Sequence, residues 1–324
     1  MGKILITGAT GFIGSHLTEH LVSKGYEVIA FDRYNPNNSW GWLENSKLKN
    51  DFQVILGDIR DYDSVSKAMK DCDAVMHLAA LIGIPYSYVS PLAYIRTNIE
   101  GTYNVLEAAK KLELNQILIT STSETYGTAQ YVPMDEEHPL VGQSPYSASK
   151  IGADQIALSY FNSFQLPIKI VRPFNTFGPR QSSRAIIPSV ISQIISGAEE
   201  IRLGNLTPTR DLTYVEDTCS GFLAIYKSGK LFGSVTNIGM NKEISIGDLV
   251  TKIASVMNVP IKVVQEDTRV RPSKSEVSQL CCNNNKLINM TKWTPSFNID
   301  NGLKSTIKWM KKNFHYYKPN QYNV

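Results

Sequence analysis

A chain of 324 residues, 42% hydrophobic and 19% charged, has apolar material for a sizeable core and lacks the composition of a disordered protein. Its 33 basic and 29 acidic residues are scattered and sum to +4, with no basic arm or stripe of the kind nucleic acid attracts. Cys72, Cys219, Cys281 and Cys282 have neither metal-site spacing nor the density of a disulfide scaffold, which points to a reducing compartment. The amino terminus shows no signal-peptide pattern and no apolar stretch is long enough to cross a bilayer, so a cytoplasmic location is expected.

In chain order, short β-rich runs alternate with amphipathic segments. Strands are predicted at 3–7, 27–31, 53–56, 74–77, 116–120 and 168–171, and helices at 12–23, 62–69, 91–112 and 145–163. This alternation specifies an α/β fold of Rossmann type, a doubly wound parallel sheet with helices on both faces. Past Pro179 the pattern becomes irregular, with helices at 187–196 and 301–313. The expected division is a cofactor lobe over 1–178, rejoined by a segment near 212–240, and a smaller substrate-binding lobe over 179–324. The last ten residues, HYYKPNQYNV, read as a frayed end.

Gly8, Gly11 and Gly14 follow the first strand and open the first helix. Glycine allows the tight turn and the close approach of backbone to a pyrophosphate at a helix amino terminus. Asp32 ends the second strand 18 residues beyond Gly14, where a carboxylate accepts hydrogen bonds from ribose hydroxyls and repels a 2′-phosphate. NAD is therefore favoured over NADP, although the adjacent Arg33 pulls the other way. A plain strand-to-helix turn is the bland alternative. GDI at 57–59 and HLAA at 77–80 end two further strands on the same sheet edge; taken alone, Asp58 reads equally well as a helix cap.

Tyr146 and Lys150 in PYSASK lie four apart on a helix and share a face. A phenol with a pKa near 10 is a poor base at neutral pH, and an ammonium with a positive nicotinamide ring would lower it. The phenolate could then take the proton of a sugar hydroxyl as hydride leaves the same carbon. The spacing alone is common on helices; its place between TSTSETYG (120–127) and the sixth strand gives it weight. His16 and His20 lack a third ligand, so no metal is expected, and His77 reads as a core residue.

The order of GATGFIG (8–14), TSTSETYG, PYSASK, RPFNTFGPR (172–180) and RDLTYVED (210–217) resembles the extended short-chain dehydrogenases of the NAD-dependent epimerase/dehydratase family over nearly the whole chain. SWGWLE (39–44), SETYGTAQYVPMDEEHPL (123–140), PRQSSRAIIP (179–188) and GNLTPTRD (204–211) look like the legionaminic acid-pathway dehydratases of nucleotide-linked N-acetylglucosamine. The resemblance implies a tightly held NAD, regenerated each turnover, contacted by Gly8, Gly11, Phe12, Ile13, Gly14, Asp32, Arg33, Asp58, Ile59, Leu78, Ala79, Ala80, Asn98, Tyr146, Lys150 and Pro173. It implies catalytic roles for Thr122, Ser123, Glu124, Tyr146 and Lys150. Ser87, Thr122, Asn175, Arg184, Ile187, Leu203, Arg210 and Arg271 would contact a GDP- or UDP-linked sugar, in a homodimer.

In nucleotide-sugar 4,6-dehydratases the pair after Thr122 is Asp-Glu, acid for water loss at C6 and base at C5; here it is Ser123-Glu124. The implied course is oxidation at C4, loss of the C5 proton to Glu124, departure of water from C6 and hydride return to C6. UDP-glucuronate decarboxylases and sugar 4-epimerases are the competing enzymes, and a cofactor-responsive binding protein is the non-enzymatic reading.

Overall fold

The computed structural model describes residues 2–319. In chain order it forms β1 (Lys3–Thr7), α1 (Phe12–Ser23), β2 (Glu27–Arg33), β3 (Gln53–Gly57), α2 (Tyr62–Met69), β4 (Ala74–His77), α3 (Ile84–Val89), α4 (Pro91–Tyr94), α5 (Gly101–Lys111), β5 (Gln116–Thr120), α6 (Pro145–Phe164) and β6 (Ile168–Pro173). Then follow β7 (Asn175–Phe177), α7 (Ile186–Ile195), β8 (Glu200–Leu203), β9 (Thr209–Tyr214), α8 (Val215–Lys227), β10 (Val235–Ile238), β11 (Glu243–Ser245), α9 (Ile246–Met257), β12 (Lys262–Gln265), α10 (Asn285–Thr291) and α11 (Ile299–Lys312).

Seven parallel strands make one sheet in the order β10-β6-β5-β4-β1-β2-β3. Except in the edge strand β3, whose residues are only half-buried, the apolar, β-branched runs that predicted the strands are buried on both faces, as a parallel sheet covered by helices requires. The chain runs outward from β1 through β2 to β3 and then crosses back to β4 on the other side of β1. That reversal opens a crevice at the carboxyl ends of β1 and β4, where doubly wound folds bind nucleotides.

The predicted helix over 91–112 is instead broken. A π-helical turn, Ile95–Glu100, separates α4 from α5. One face of that turn carries Asn98, whose amide bonds both backbone groups of Leu81 and the Ser149 hydroxyl at 2.9–3.0 Å. These long-range bonds accompany a widened turn that local propensity does not announce. α6 starts where Ser144 and Ser147 form a reciprocal cap with Pro145 at the first helical position.

Beyond Pro179 the chain is more regular than its pattern suggests. Here α8, α9 and α10 accompany five short strands of three to six residues. β10 returns to the large sheet beside β6, while β11-β9-β7 and β12-β8 form two small sheets. Strands this short leave too few residues for a period to register. Nor is the carboxyl end frayed up to Pro319: Tyr316 stacks edge-on against Trp42 at 5.1 Å and takes a hydrogen bond from Asn45. Residues 320–324 lie outside the described residues. Among those described, no helix is long and apolar enough to cross a membrane.

Candidate active site

The glycine turn is dictated by sterics. Gly8 has φ +70°, and a Cβ on Gly14 would lie 2.1 Å from the Gly8 carbonyl oxygen. α1 therefore starts closer to β1 than any side chain permits. No side chain caps its first turn, leaving the N–H groups of Phe12, Ile13 and Gly14 as an anion-binding terminus. Asp32 faces this turn, its Oδ2 accepting from Thr10 N and Oγ1 at 2.7 and 2.6 Å, while Arg33 is exposed. These features fit a dinucleotide with its pyrophosphate on α1 and a ribose beside Asp32.

Register brings in the other edge. Thr7 pairs with His77, so Leu78 and Ala79 follow directly alongside Gly8. The His77 ring is held between Thr7 and Thr102, and burial pushes it down to about 3, so it stays neutral. Asp58 is engaged by Arg60, which holds its carboxyl below the usual range. Ile59 is buried against α5, and the side-chain amide of Asn98 is engaged with Leu81 and Ser149. Both thus shape the wall of the crevice through packing.

The candidate catalytic residues come together where β5 meets α6. Lys150 Nζ donates to the Thr120 carbonyl at 2.6 Å, at the end of β5. Thr122 caps a short 3₁₀ turn, Ser123–Tyr126, whose Gly127 has φ +67°, and this turn places Ser123 and Glu124 beside α6. Tyr146 packs edge-on against Tyr94 at 6.2 Å. Burial drives the Tyr146 phenol far above its ordinary range; a hydrogen bond with Thr122 opposes that, and the Glu124 charge adds to it. Burial also lowers the Lys150 ammonium, and Asp154 counters it. Such a pair works as a base only when further positive charge stands beside the phenol.

Beneath it lies a polar layer that sequence reasoning missed. Ser121 Oγ donates to Asp154 Oδ2 at 2.5 Å, and Arg172 Nη2 reaches the same oxygen at 2.8 Å. The guanidinium also covers the Tyr126 ring at 4.4 Å, and the Tyr126 hydroxyl donates to Asn237 on β10. Asp154 falls four residues after Lys150, the same helical spacing that flagged Tyr146, and that was the signal available.

On the substrate side, Arg210 on β9 and Arg271 approach one oxygen of Glu276, at 3.1 and 3.6 Å. Arg184 lies against Gly83, and the Asn175 side-chain amide oxygen (Oδ1) is buried without a hydrogen bond. Ser87 donates to the Ile84 carbonyl and is fully buried. The Ile187 and Leu203 side chains, 1% and 3% exposed, are packed into the main core. Pro173 ends β6 and is buried. The loop carrying Arg271 and Glu276 is tied to much earlier parts of the chain: Ser275 bonds Tyr88, the Lys274 carbonyl takes Gln143, and Ser278 N donates to Thr128. Neither Glu276 nor Tyr94 stood out in the sequence, because each acquires its place from contacts far along the chain. Among the described residues, no cluster of His, Cys, Asp or Glu could hold a metal ion.

Comparison with known proteins converges on one family. A family model described as GDP-mannose 4,6 dehydratase matches residues 5–306. The chain is 29% identical over 326 residues to a human dTDP-D-glucose 4,6-dehydratase, covering 98% of this chain and 92% of that protein. It is 31% identical over 321 residues to a UDP-N-acetyl-alpha-D-glucosaminuronate decarboxylase of Bacillus cytotoxicus, covering 96% and 98%. Among solved structures, DesIV, a dTDP-glucose 4,6-dehydratase from Streptomyces venezuelae with NAD bound, superposes with a TM-score of 0.89 at 25% identity, covering 98% of this chain and 99% of that one.

Proposed function

The chain belongs to the GDP-mannose 4,6 dehydratase family, and from that premise we propose that it dehydrates UDP- or GDP-linked N-acetylglucosamine to the 4-keto-6-deoxy sugar, as in legionaminic acid biosynthesis. NAD is its cofactor, seated on the glycine turn with Asp32 at the ribose. The lobe that holds it is read as residues 1–178 with the return segment near 212–240, and 179–324 as the sugar-nucleotide lobe. The observation that carries the dehydratase reading is Glu124, held by the Thr122-capped turn close enough for its charge to bear on the Tyr146 phenol.

When bound, NAD supplies the acceptor for the C4 hydride and the donor that returns it to C6. Tyr146 takes the C4 hydroxyl proton. Its buried phenol needs cations to ionise, a role that falls to Lys150, one turn along the same helix face. Oxidation at C4 acidifies the C5 proton, which passes to the Glu124 carboxylate. Ser123 stands where an acid is expected, and its hydroxyl is too weak an acid to protonate a leaving hydroxide. The proton gained by Glu124 is therefore the one delivered to the C6 oxygen as water leaves, and C5 is reprotonated from solvent through Glu124 when hydride returns to C6. Arg210 and Arg271 offer guanidinium forks for the diphosphate. Exposed Tyr86, Leu92, Ile95, Tyr103 and Phe164 along α3 to α6 support a homodimer packed through these helices.

Incubation with each N-acetylglucosamine nucleotide in heavy water tests the assignment. The expected product has lost water and carries deuterium at C5, and Glu124→Gln stops both while still allowing the cofactor to be reduced. Unchanged mass with altered stereochemistry would make the chain an epimerase. Loss of carbon dioxide from a glucuronate nucleotide would make it a decarboxylase, the reading to which the Bacillus relative lends support.

A further inference from the structure

Lys150 is 4% exposed and donates to the Thr120 carbonyl, which cannot hold a proton on a buried amine by charge. The next residue, Ser121, is fixed from the other side by Asp154 and Arg172, the latter reaching its hydroxyl with Nε at 3.2 Å. The dipeptide at the end of β5 is thus gripped twice by α6, through Lys150 and Asp154, and once by β6. Asp154 is fully buried and uses Oδ2 for both its donors, while Oδ1 has no hydrogen-bond partner. Lys150 lies one helical turn before this anchored carboxylate, on the same face of α6.

We infer that Asp154, anchored by Arg172 and Ser121, is a positioning residue that keeps Lys150 charged and in place beneath Tyr146. The groups facing Lys150 agree with this. Tyr146 and Asp154 come from its own helix, and the Thr120 carbonyl from β5. His77 on β4 is neutral, and Arg172 on β6 is paired with Asp154. Among the described residues, Asp154 is the anion whose charge acts on Lys150, in the sense that opposes the effect of burial.

The inference rests on the assignment of Lys150 to the hydride step, and its test needs no sugar. In NAD-loaded protein carrying carbon-13 lysine, the Lys150 signal is identified by its loss in Lys150→Met and titrated with pH. Asp154→Asn is expected to lower the Lys150 midpoint by about one pH unit or more, and to move the alkaline limb of any turnover down with it. Because Asp154→Asn strands the Arg172 charge and is strongly destabilising, Asp154→Asn/Arg172→Gln removes both charges at nearly constant volume. A fall in the same direction, smaller because a cation is removed with the anion, is expected there. An unchanged Lys150 midpoint in a folded variant overturns the inference, whatever the substrate proves to be. A lowered midpoint in a protein inactive on every N-acetylglucosamine nucleotide would uphold it and reject the dehydratase assignment instead.

Discussion

The two sides of the active-site crevice are built on different principles. The cofactor side is made of backbone: three glycines, a bare helix start and the ends of β1 and β4, brought together by strand register. The proposed substrate side is made of side chains from β7, β9, the loop before α7 and the loop after β12, among segments held by buried carboxylates. Asp211 accepts from the backbone of Met240, Lys242 and Cys282, and Asp217 from Ser296 and Phe297. The first design fails on adding one methyl group, whereas the second fails on losing one charge.

Gly14→Ala breaks the comparison hardest. Its Cβ would sit 2.1 Å from a carbonyl oxygen, so α1 must move, and NAD binding followed by calorimetry is expected to disappear. Gly229→Ala, with nothing within 4 Å, should bind NAD like the parent. Asp211→Ala, on the other side, leaves three backbone donors without their acceptor. A loss of about 4 kcal/mol in urea unfolding is expected; a loss below about 1 kcal/mol would mean that the carboxylate does not organise that lobe.

Acid distinguishes the sides next. Burial pushes His16, bonded to the Pro179 carbonyl, down to about 4 and His77 to about 3, from an ordinary 6.5. Both are neutral when folded and take up a proton on unfolding. The stability they contribute is complete above pH 6.5 and falls away toward pH 4 for His16 and pH 3 for His77, by up to about 3 kcal/mol for His16. His16→Gln should flatten the slope of melting temperature between pH 6.5 and 4; an unchanged slope would exclude His16 as its source. The smallest effect is expected of Trp42→Ala. It removes edge contacts to Trp309 and Tyr316, at 5.5 and 5.1 Å, and should cost about 1–2 kcal/mol of stability with a few-fold weaker NAD binding.

The legible parts of the molecule were those governed by short-range geometry. β1, β4 and β5 begin and end where their apolar runs do, and α1 and α2 where their periodicity does, because each is bounded by glycine, charge or a cap. The π-helical turn at Ile95–Glu100 was not legible, since Asn98 finds Leu81 and Ser149 only after β4 and α6 are in place. Glu276 likewise meets Arg210 across 66 residues. Asp154 lay within reach of the pattern, but nothing local reveals that Arg172 would meet it.

The sequence by itself determined the glycine turn, the sheet that carries it and the shared helix face of Tyr146 and Lys150, because spacing along a strand or helix fixes those relations wherever the chain folds. Tertiary structure decided which groups surround that face and how far water is kept from it. A buried phenol, a buried ammonium and one anion a turn away take their protonation from desolvation and neighbouring charge, and both exist only once the sheet has closed over them.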